Sequence, residues 1–153
     1  MSATLEWVEA TINELNAHQL HNLLKLRIDV FVVEQQCVYA ELDGQDALPG
    51  TQHVFAFEQS GAVVAAARVL APDDARPVRI GRVVVTPSYR GTGLSRRLMD
   101  RVMRICSDVY PQQSIELSAQ VGADALYSAY GFEVVSKVYL DDGIPHQDMR
   151  LVF

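Results

Sequence analysis

One segment of the sequence, from Val83 to Leu98, constrains the fold more than any other. Its pattern predicts a buried strand, a glycine-rich turn and the first turns of an amphipathic helix. The first N–H groups of a helix have no partner within the helix, and the helix dipole adds partial positive charge there. Gly91 and Gly93 allow a ligand to approach the bare backbone. Since Arg90 and Arg96 add positive charge at the rim, the segment predicts a phosphate-binding turn.

Two common kinds of phosphate-binding turn are excluded. The Gly-Lys-Ser/Thr ending of a Walker A loop does not occur, and Arg96 stands where a dinucleotide fingerprint has its third glycine. The remaining pattern, Arg-x-x-Gly-x-Ser from Arg90 to Ser95, resembles the coenzyme A pyrophosphate loop of the GCN5-related N-acetyltransferase (GNAT) superfamily, Arg/Gln-x-x-Gly-x-Gly/Ala. Ser95 departs from the last position, but serine is small and leaves its N–H available. For the loop alone, the alternative is an ordinary strand–turn–helix with a glycine turn.

Further segments support the same resemblance. Residues 123–132 are similar to the late GNAT helix, in which a tyrosine, here Tyr127, precedes a Gly-Phe pair by four residues. Residues 27–37, 41–46 and 142–146 resemble the ElaA-type branch of the superfamily. The resemblance covers nearly the whole chain.

The resemblance implies a fold and a domain organisation. We expect residues 1–153 to form a single α/β (α+β) domain with a mixed, mostly antiparallel sheet flanked by helices. The strand that contains Val83 and the strand that begins at Ser114 would splay apart into a V, and coenzyme A would enter that opening.

Hydrophobic spacing and turn residues predict the individual elements. Helices are predicted from an Asn16–Gln19 capping box to Phe31 and over residues 93–110 and 123–130. Strands are predicted over 5–8, 53–58, 63–70, 78–86, 114–120, 132–140 and 148–153, with an irregular acidic segment over 35–52.

Composition limits the partners of the protein. A formal net charge of −6 argues against nonspecific binding to nucleic acid or to an anionic membrane. Since no signal peptide or transmembrane stretch is recognised, we expect a soluble cytoplasmic protein. Cys37 and Cys106 form no disulfide or metal pattern, and Cys106 lies on the apolar side of its predicted helix. The oligomeric state is open between a monomer and a homodimer.

The resemblance implies acetyl-CoA as co-substrate, with no metal. The backbone of Val83, Val84 and Val85 would hold the pantetheine and the thioester, although the same residues also read as a plain buried strand. Gln120 stands where many family members have an asparagine on the adenosine side. The pyrophosphate would lie on the turn formed by Arg90, Gly91, Thr92, Gly93, Leu94, Ser95 and Arg96.

Acyl transfer also needs an acid and a base. The resemblance places Tyr127 beside the coenzyme sulfur, and a phenol exchanges protons readily with an alkyl thiol because their ordinary pKa values are close. The alternative for Tyr127 is a packing role. Several relatives carry a glutamate on the strand before the loop, but residues 78–86 contain no carboxylate. The base would then be Glu116 on the neighbouring strand, His53 or His146, or water would carry the proton away.

Acidic residues after the first helix suit a cationic amine. Glu34 and Asp43, with Glu41 and Asp46 nearby, follow the helix where the family places the substrate wall, and His146 lies in a Gly-Ile-Pro-His segment of the ElaA type. We therefore predict Glu34, Asp43 and His146 as substrate-binding residues. The alternative for the acidic segment is a solvated loop.

Three functions remain in view. The first is transfer of an acetyl group to a primary amine of a small molecule or a protein. The second is an acyl-homoserine-lactone-type acyltransferase, which the helix from Arg27 to Phe31 distantly resembles. The third is a coenzyme A-binding or interaction module without turnover, which the missing strand carboxylate favours.

Overall fold

A computed structural model describes residues 4–153, in which eight strands form one sheet that packs with three α-helices. The helices are α1 Ala17–Ile28, α2 Leu94–Val109 and α3 Asp124–Ser128. The strands are β1 Glu6–Ala10, β2 Gln52–Phe57, β3 Val63–Leu70, β4 Val78–Val85, β5 Ile115–Gln120, β6 Glu133–Val134, β7 Tyr139–Asp141 and β8 Ile144–Leu151.

The strands lie in the order β1-β2-β3-β4-β5-β8-β6, and β7 also pairs with β8. Every neighbouring pair is antiparallel except β4 and β5, which are parallel. The expected fold class, a mixed and mostly antiparallel α/β (α+β) domain, is confirmed.

The two long helices cover opposite faces of the sheet. Residues of α2 such as Leu98 and Met99 are fully buried against Val54 of β2, together with Cys106, whose predicted core position is confirmed. The next residue of β2, Phe55, points to the other face and packs with α1. Because its side chains alternate between the two faces of the sheet, β2 contributes to the hydrophobic cluster on each side.

The first helix begins as predicted but ends differently. Asn16 accepts a hydrogen bond from the Gln19 N–H (2.8 Å), and the Gln19 side chain accepts one from the Asn16 N–H (3.0 Å). The α-helix ends at Ile28, where the prediction continued to Phe31, and the chain goes on as a π-helix over Asp29–Glu34. Such wider turns are common at functional sites.

The C-terminal part of the sheet also differs from prediction. The single strand expected over 132–140 is two short strands, β6 and β7, and β8 begins at Ile144 instead of Asp148. The N–H of Asp148 in β8 donates to the hydroxyl of Ser136, which lies between β6 and β7 (2.8 Å). This side-chain bond takes the place of a strand-to-strand bond and interrupts the ladder. Across residues 4–153, none of the helices has the length and apolar character that crossing a membrane requires.

Candidate active site

A cleft opens where β4 and β5 separate. The two strands pair only from Val78 with Ile115 to Ile80 with Leu117, and beyond that point the β5-facing edge of β4 has no strand partner. The predicted V-shaped splay is therefore present. The cleft has a volume of about 750 Å³ and is lined by β4, β5, the π-helix, the start of α2, α3 and the β7–β8 hairpin.

A bulge lies in β4 beside the cleft. Residues 82 and 83 together stand opposite Ala67, and Arg82 has a left-handed backbone (φ 52°). The Arg82 side chain leaves the sheet and donates to the Glu41 carboxylate (3.1 Å) and carbonyl (3.2 Å). Val83, Val84 and Val85 then form the cleft wall with an unpaired strand edge. The structure therefore places all three predicted strand residues at the opening.

The glycine-rich turn follows at the N-terminus of α2. Gly91 (φ 77°) and Gly93 (φ 84°) are left-handed, and a Cβ atom on either would meet nothing within 4 Å. Gly93 caps the helix without a side-chain hydrogen bond. Within residues 4–153, the N–H groups of Leu94, Ser95 and Arg96 make no hydrogen bond, and the first bond runs from Arg97 to the Gly93 carbonyl. This end of α2 therefore presents free N–H donors of the kind that can bind an anion.

Some residues of the turn stabilise its fold, and others line the cleft. The Leu94 side chain is buried in the core, and Thr92 donates to the Tyr89 carbonyl (2.5 Å). Ser95 and Arg90 line the cleft, and Gln120 lines it from the end of β5. Arg96 is exposed beside the turn.

Arg90 is held in place by two partners. Its Nε donates to the Val85 carbonyl (3.1 Å), and its two terminal nitrogens donate to the Glu34 carboxylate (2.6 and 2.8 Å). The hydrogen bond from Arg90 holds the pKa of the Glu34 carboxyl below its ordinary value. Glu34 therefore lies in the cleft as predicted, but as the partner of the first cation in the phosphate-binding pattern.

Tyr127 lines the cleft from α3 and is 7% exposed. Its ring contacts Phe132 edge to face, with centroids 6.4 Å apart. Gly131 (φ 93°) ends this short helix, and a Cβ there would meet Leu151 at 3.2 Å. Burial raises the pKa of Tyr127 to about 12, so the phenol stays protonated at neutral pH. Within residues 4–153 its hydroxyl makes no hydrogen bond, which leaves its proton available to a ligand.

The predicted base Glu116 does not reach the cleft. It lies on β5 opposite Arg150 of β8, and the Arg150 guanidinium donates to its carboxylate (Nε to Oε1 2.8 Å). The sequence could not show this pair because the two residues are 34 positions apart.

Several carboxylates of the acidic segment after α1 are paired with arginines. Asp43 accepts hydrogen bonds from Arg68 (2.6 and 3.0 Å) and lies outside the cleft lining. Burial alone would raise the pKa of Asp43, but the bonds from Arg68 dominate and hold it well below its ordinary value. The structure therefore contradicts the predicted substrate-binding role of Asp43, which is a structural anion paired with Arg68, and the alternative of a solvated loop does not describe it either.

Arg27 is the centre of that network. Its guanidinium, 1% exposed, donates to Glu41 (2.6 Å) and to Asp46 (2.7 and 3.0 Å). Tyr39 also donates to Glu41, and Arg82 lies over the Tyr39 ring. The network anchors the segment over residues 37–46, of which Cys37 and Tyr39 line the cleft.

The β7–β8 hairpin closes the other end of the cleft. Cys37 lines the cleft and its thiol donates to the Asp142 carbonyl (3.4 Å), which ties the hairpin turn to the segment after the π-helix. Asp141 and Asp142 line the cleft with exposed side chains, and His146 lines it from β8. His53, the other histidine candidate, is buried between Arg27 and Arg68 and is absent from the lining.

One face of β5 and β8 carries a row of polar side chains that was not predicted from the sequence. Ser118 stands opposite Asp148, and Gln120 stands opposite His146. Tyr139 of β7 bridges the row, because its hydroxyl contacts both Ser118 and Asp148. The signal was the alternation of polar residues at 116, 118 and 120 and at 146, 148 and 150. A core-facing strand surface would be apolar, so this alternation marks a polar face of the sheet, from which Ser118, Gln120 and His146 line the cleft.

Comparisons with known proteins agree with this geometry. The family model described as an acetyltransferase (GNAT) domain matches residues 16–153. Protein ElaA of Escherichia coli is 39% identical over 146 residues, 95% of each chain, and its crystal structure gives a TM-score of 0.91 over 96% of this chain and 99% of that one. A UPF0039 protein of Schizosaccharomyces pombe is 40% identical over 150 residues, 97% of this chain and 98% of that one. An acyl-CoA N-acyltransferase from Pseudomonas aeruginosa is 40% identical with a TM-score of 0.90, over 96% of this chain and 99% of that one.

Proposed function

Because this chain belongs to the GNAT acetyltransferase family, in its ElaA-like branch, we propose that it transfers an acetyl group from acetyl-CoA to a primary amine of a cationic small molecule or a protein. One observation carries the proposal: the unpaired edge of β4 and the uncapped N-terminus of α2 border the same cleft. A strand edge and a helix N-terminus suit the amide-rich and the phosphate-rich parts of coenzyme A, respectively.

The α2 end of the cleft would hold the pyrophosphate. The free N–H groups of Leu94, Ser95 and Arg96 point out of the first turn of the helix, where anions are stabilised. The open space above Gly91 and Gly93 leaves room for phosphate oxygens against the backbone. These features support the assignment of the turn as the coenzyme-binding element.

The middle of the cleft would carry the chemistry. Backbone N–H groups of Val83 to Val85 are available to stabilise the charge that develops on the thioester oxygen. Tyr127 would donate its proton to the leaving thiolate. With its pKa raised to about 12, the phenol keeps its proton at neutral pH and can act only as a donor there, although the shift moves it away from the close match with a thiol pKa that was expected from the sequence.

The acceptor would approach from the β7–β8 hairpin. Asp141 and Asp142 place exposed carboxylates on the cleft, while the cation Arg82 is already paired with Glu41. The field at this end is therefore negative and attracts an ammonium group. This supports a cationic amine over an acidic or neutral acceptor.

The test is turnover with defined amines. Purified protein would be mixed with acetyl-CoA and putrescine, spermidine or a lysine-containing peptide, and free thiol and product mass would be measured against a reaction without amine. We expect amine-dependent thiol release and a product heavier by one acetyl group. Tight acetyl-CoA binding without turnover on any of these amines would instead favour the coenzyme A-binding module.

A further inference from the structure

The hydrogen bonds of the polar row have a defined direction. The single proton of the Tyr139 hydroxyl is donated to Asp148 Oδ1 (2.5 Å), because an ionised carboxylate only accepts. The Ser118 hydroxyl must then donate to the Tyr139 oxygen. Ser118 lines the cleft, so its remaining lone pairs make it an acceptor there.

The hydrogen bond of the His146 ring also has a defined direction. Its Nδ1 lies 2.7 Å from the Ile144 carbonyl oxygen, and a carbonyl only accepts, so Nδ1 carries the proton. In the neutral ring, Nε2 is then the acceptor. The ring stacks on Tyr139, with centroids 6.2 Å apart and planes 23° apart. Tyr139 therefore holds both His146 and Ser118.

The one carboxylate among the base candidates, Glu116, is bonded by Arg150. Two carboxylates predicted to bind substrate are also engaged, Glu34 by Arg90 and Asp43 by Arg68. The residues that can carry charge around His146 are Tyr139 and Asp141 of β7, Asp142 of the turn, Asp148 of β8 and, across the cleft, Glu34, Cys37, Tyr39, Arg82, Arg90 and Tyr127. Among the described groups that line the cleft, His146 offers a proton acceptor, Nε2, on a ring that is held by a hydrogen bond and by a stacking contact.

We propose that His146 is the general base of the acyl transfer and that Tyr139 is its positioning residue. The inference rests on the proposed function. His146 Nε2 accepts one proton from the acceptor ammonium, which frees the nitrogen lone pair. As the nitrogen bonds to the thioester carbonyl carbon, the carbon–sulfur bond breaks and Tyr127 protonates the thiolate. The second nitrogen proton restores the Tyr127 phenol, and the proton on His146 leaves to solvent.

The kinetic test compares His146→Gln with His21→Gln, a control on the exposed face of α1. With acetyl-CoA and spermidine, we expect His146→Gln to lower kcat by about 10²–10⁴-fold. Acetyl-CoA affinity should stay within about twofold of wild type. A kcat equal to that of His21→Gln would overturn the proposal.

The role of Tyr139 is tested by two variants. Tyr139→Leu removes the stack and the hydroxyl, whereas Tyr139→Phe keeps the ring against His146. We expect Tyr139→Leu to lower kcat about tenfold or more with little change in acetyl-CoA affinity, and Tyr139→Phe to recover part of that loss. Equal kcat values for both variants and wild type would contradict the positioning role.

A spectroscopic test does not depend on turnover. Long-range ¹H–¹⁵N NMR of the whole protein reports which ring nitrogen of His146 carries the proton, with His146→Gln used to assign the signal. We expect the Nδ1–H form in wild type and a mixture of forms in Tyr139→Leu. If His146 is in the Nε2–H form, the base assignment is wrong even if the protein is active. If it is in the Nδ1–H form but no amine is acetylated, the proposed function fails while the ring geometry stands.

Discussion

Arg90 and Glu34, 56 positions apart in the chain, are joined at the cleft by two hydrogen bonds of 2.6 and 2.8 Å. The cation that begins the phosphate-binding pattern is therefore neutralised by a carboxylate of the π-helix. Under the proposed function, a coenzyme phosphate that approaches Arg90 would compete with Glu34 for the guanidinium or would lie close to the negative charge of Glu34.

Replacing Glu34 with glutamine should tighten acetyl-CoA binding. The variant removes one negative charge from the cleft and frees the Arg90 guanidinium, so we expect affinity to rise about two- to fivefold at low salt and less at physiological salt. Calorimetry would measure this. Glu9→Gln removes the same charge from the distant edge strand β1 and serves as control. Weaker binding in Glu34→Gln would mean that Glu34 is needed to orient Arg90.

Tyr127→Phe should separate chemistry from binding. The phenyl ring keeps the contact with Phe132 but has no proton to give, so we expect kcat to fall by about 10²-fold or more while acetyl-CoA affinity stays within about twofold. Because burial raises the pKa of Tyr127 to about 12, the wild-type rate should not decline below about pH 10 through loss of this proton. An unchanged kcat would exclude Tyr127 as the acid.

Arg27 should matter for stability more than any surface arginine. Arg27→Leu leaves Glu41 and Asp46 buried without their main partner, and we expect the free energy of unfolding to fall by about 3–5 kcal/mol in urea titrations. Lys25→Ala breaks an exposed pair between α1 and Asp29, the first residue of the π-helix, and should change the free energy of unfolding by about 0.5 kcal/mol or less. Similar small losses in both variants would show that the buried network contributes little.

His53 should make stability depend on pH. Its Nε2 donates to the Asp46 carbonyl (3.0 Å), and burial, with Arg27 and Arg68 nearby, lowers its pKa. Below about pH 6.5 the His53 ring is protonated in the unfolded chain. In the folded chain, where its pKa is lowered, the ring binds this proton only at lower pH. The free energy of unfolding should therefore fall as the pH drops from about 7.5 to 5.5, by at most ~1.4 kcal/mol per pH unit.

The His53→Gln variant is the comparison for that prediction. Glutamine does not titrate, so its free energy of unfolding should fall less over the same pH range. The other described histidines, His18, His21 and His146, are retained in both proteins. Equal slopes in urea titrations would show that His53 is not the group responsible.

Local chemistry explains what could be predicted from the sequence. The strand, the turn and α2 around Gly91 and Gly93 were predicted within about one residue, because glycine conformation and helix periodicity are local properties. The capping box at Asn16 is equally local. By contrast, the π-helix over Asp29–Glu34 was missed, because i→i+5 and i→i+4 hydrogen bonding give similar hydrophobic patterns over a segment of six residues.

The parts that were missed depend on long-range partners. Arg27 and Arg68 are buried only because Glu41, Asp43 and Asp46 return to them from 14 to 25 positions away. The left-handed backbone of Arg82 likewise follows from its place opposite Ala67 in a neighbouring strand. The sequence shows such residues as charges without showing which of them meet.

Calorimetric titration of wild-type protein, Gly93→Glu and Gly44→Glu with acetyl-CoA tests whether the turn before α2 binds the coenzyme. Both glycines are left-handed with open space around them, so the backbone strain is matched, but only Gly93 caps α2 beside the cleft. We expect micromolar binding to wild type and Gly44→Glu, and a loss of at least about 100-fold in Gly93→Glu, because the added carboxylate occupies the phosphate position and repels the phosphate. Equal affinity in all three proteins, or no binding to wild type at millimolar acetyl-CoA, would contradict a coenzyme-binding role for this turn.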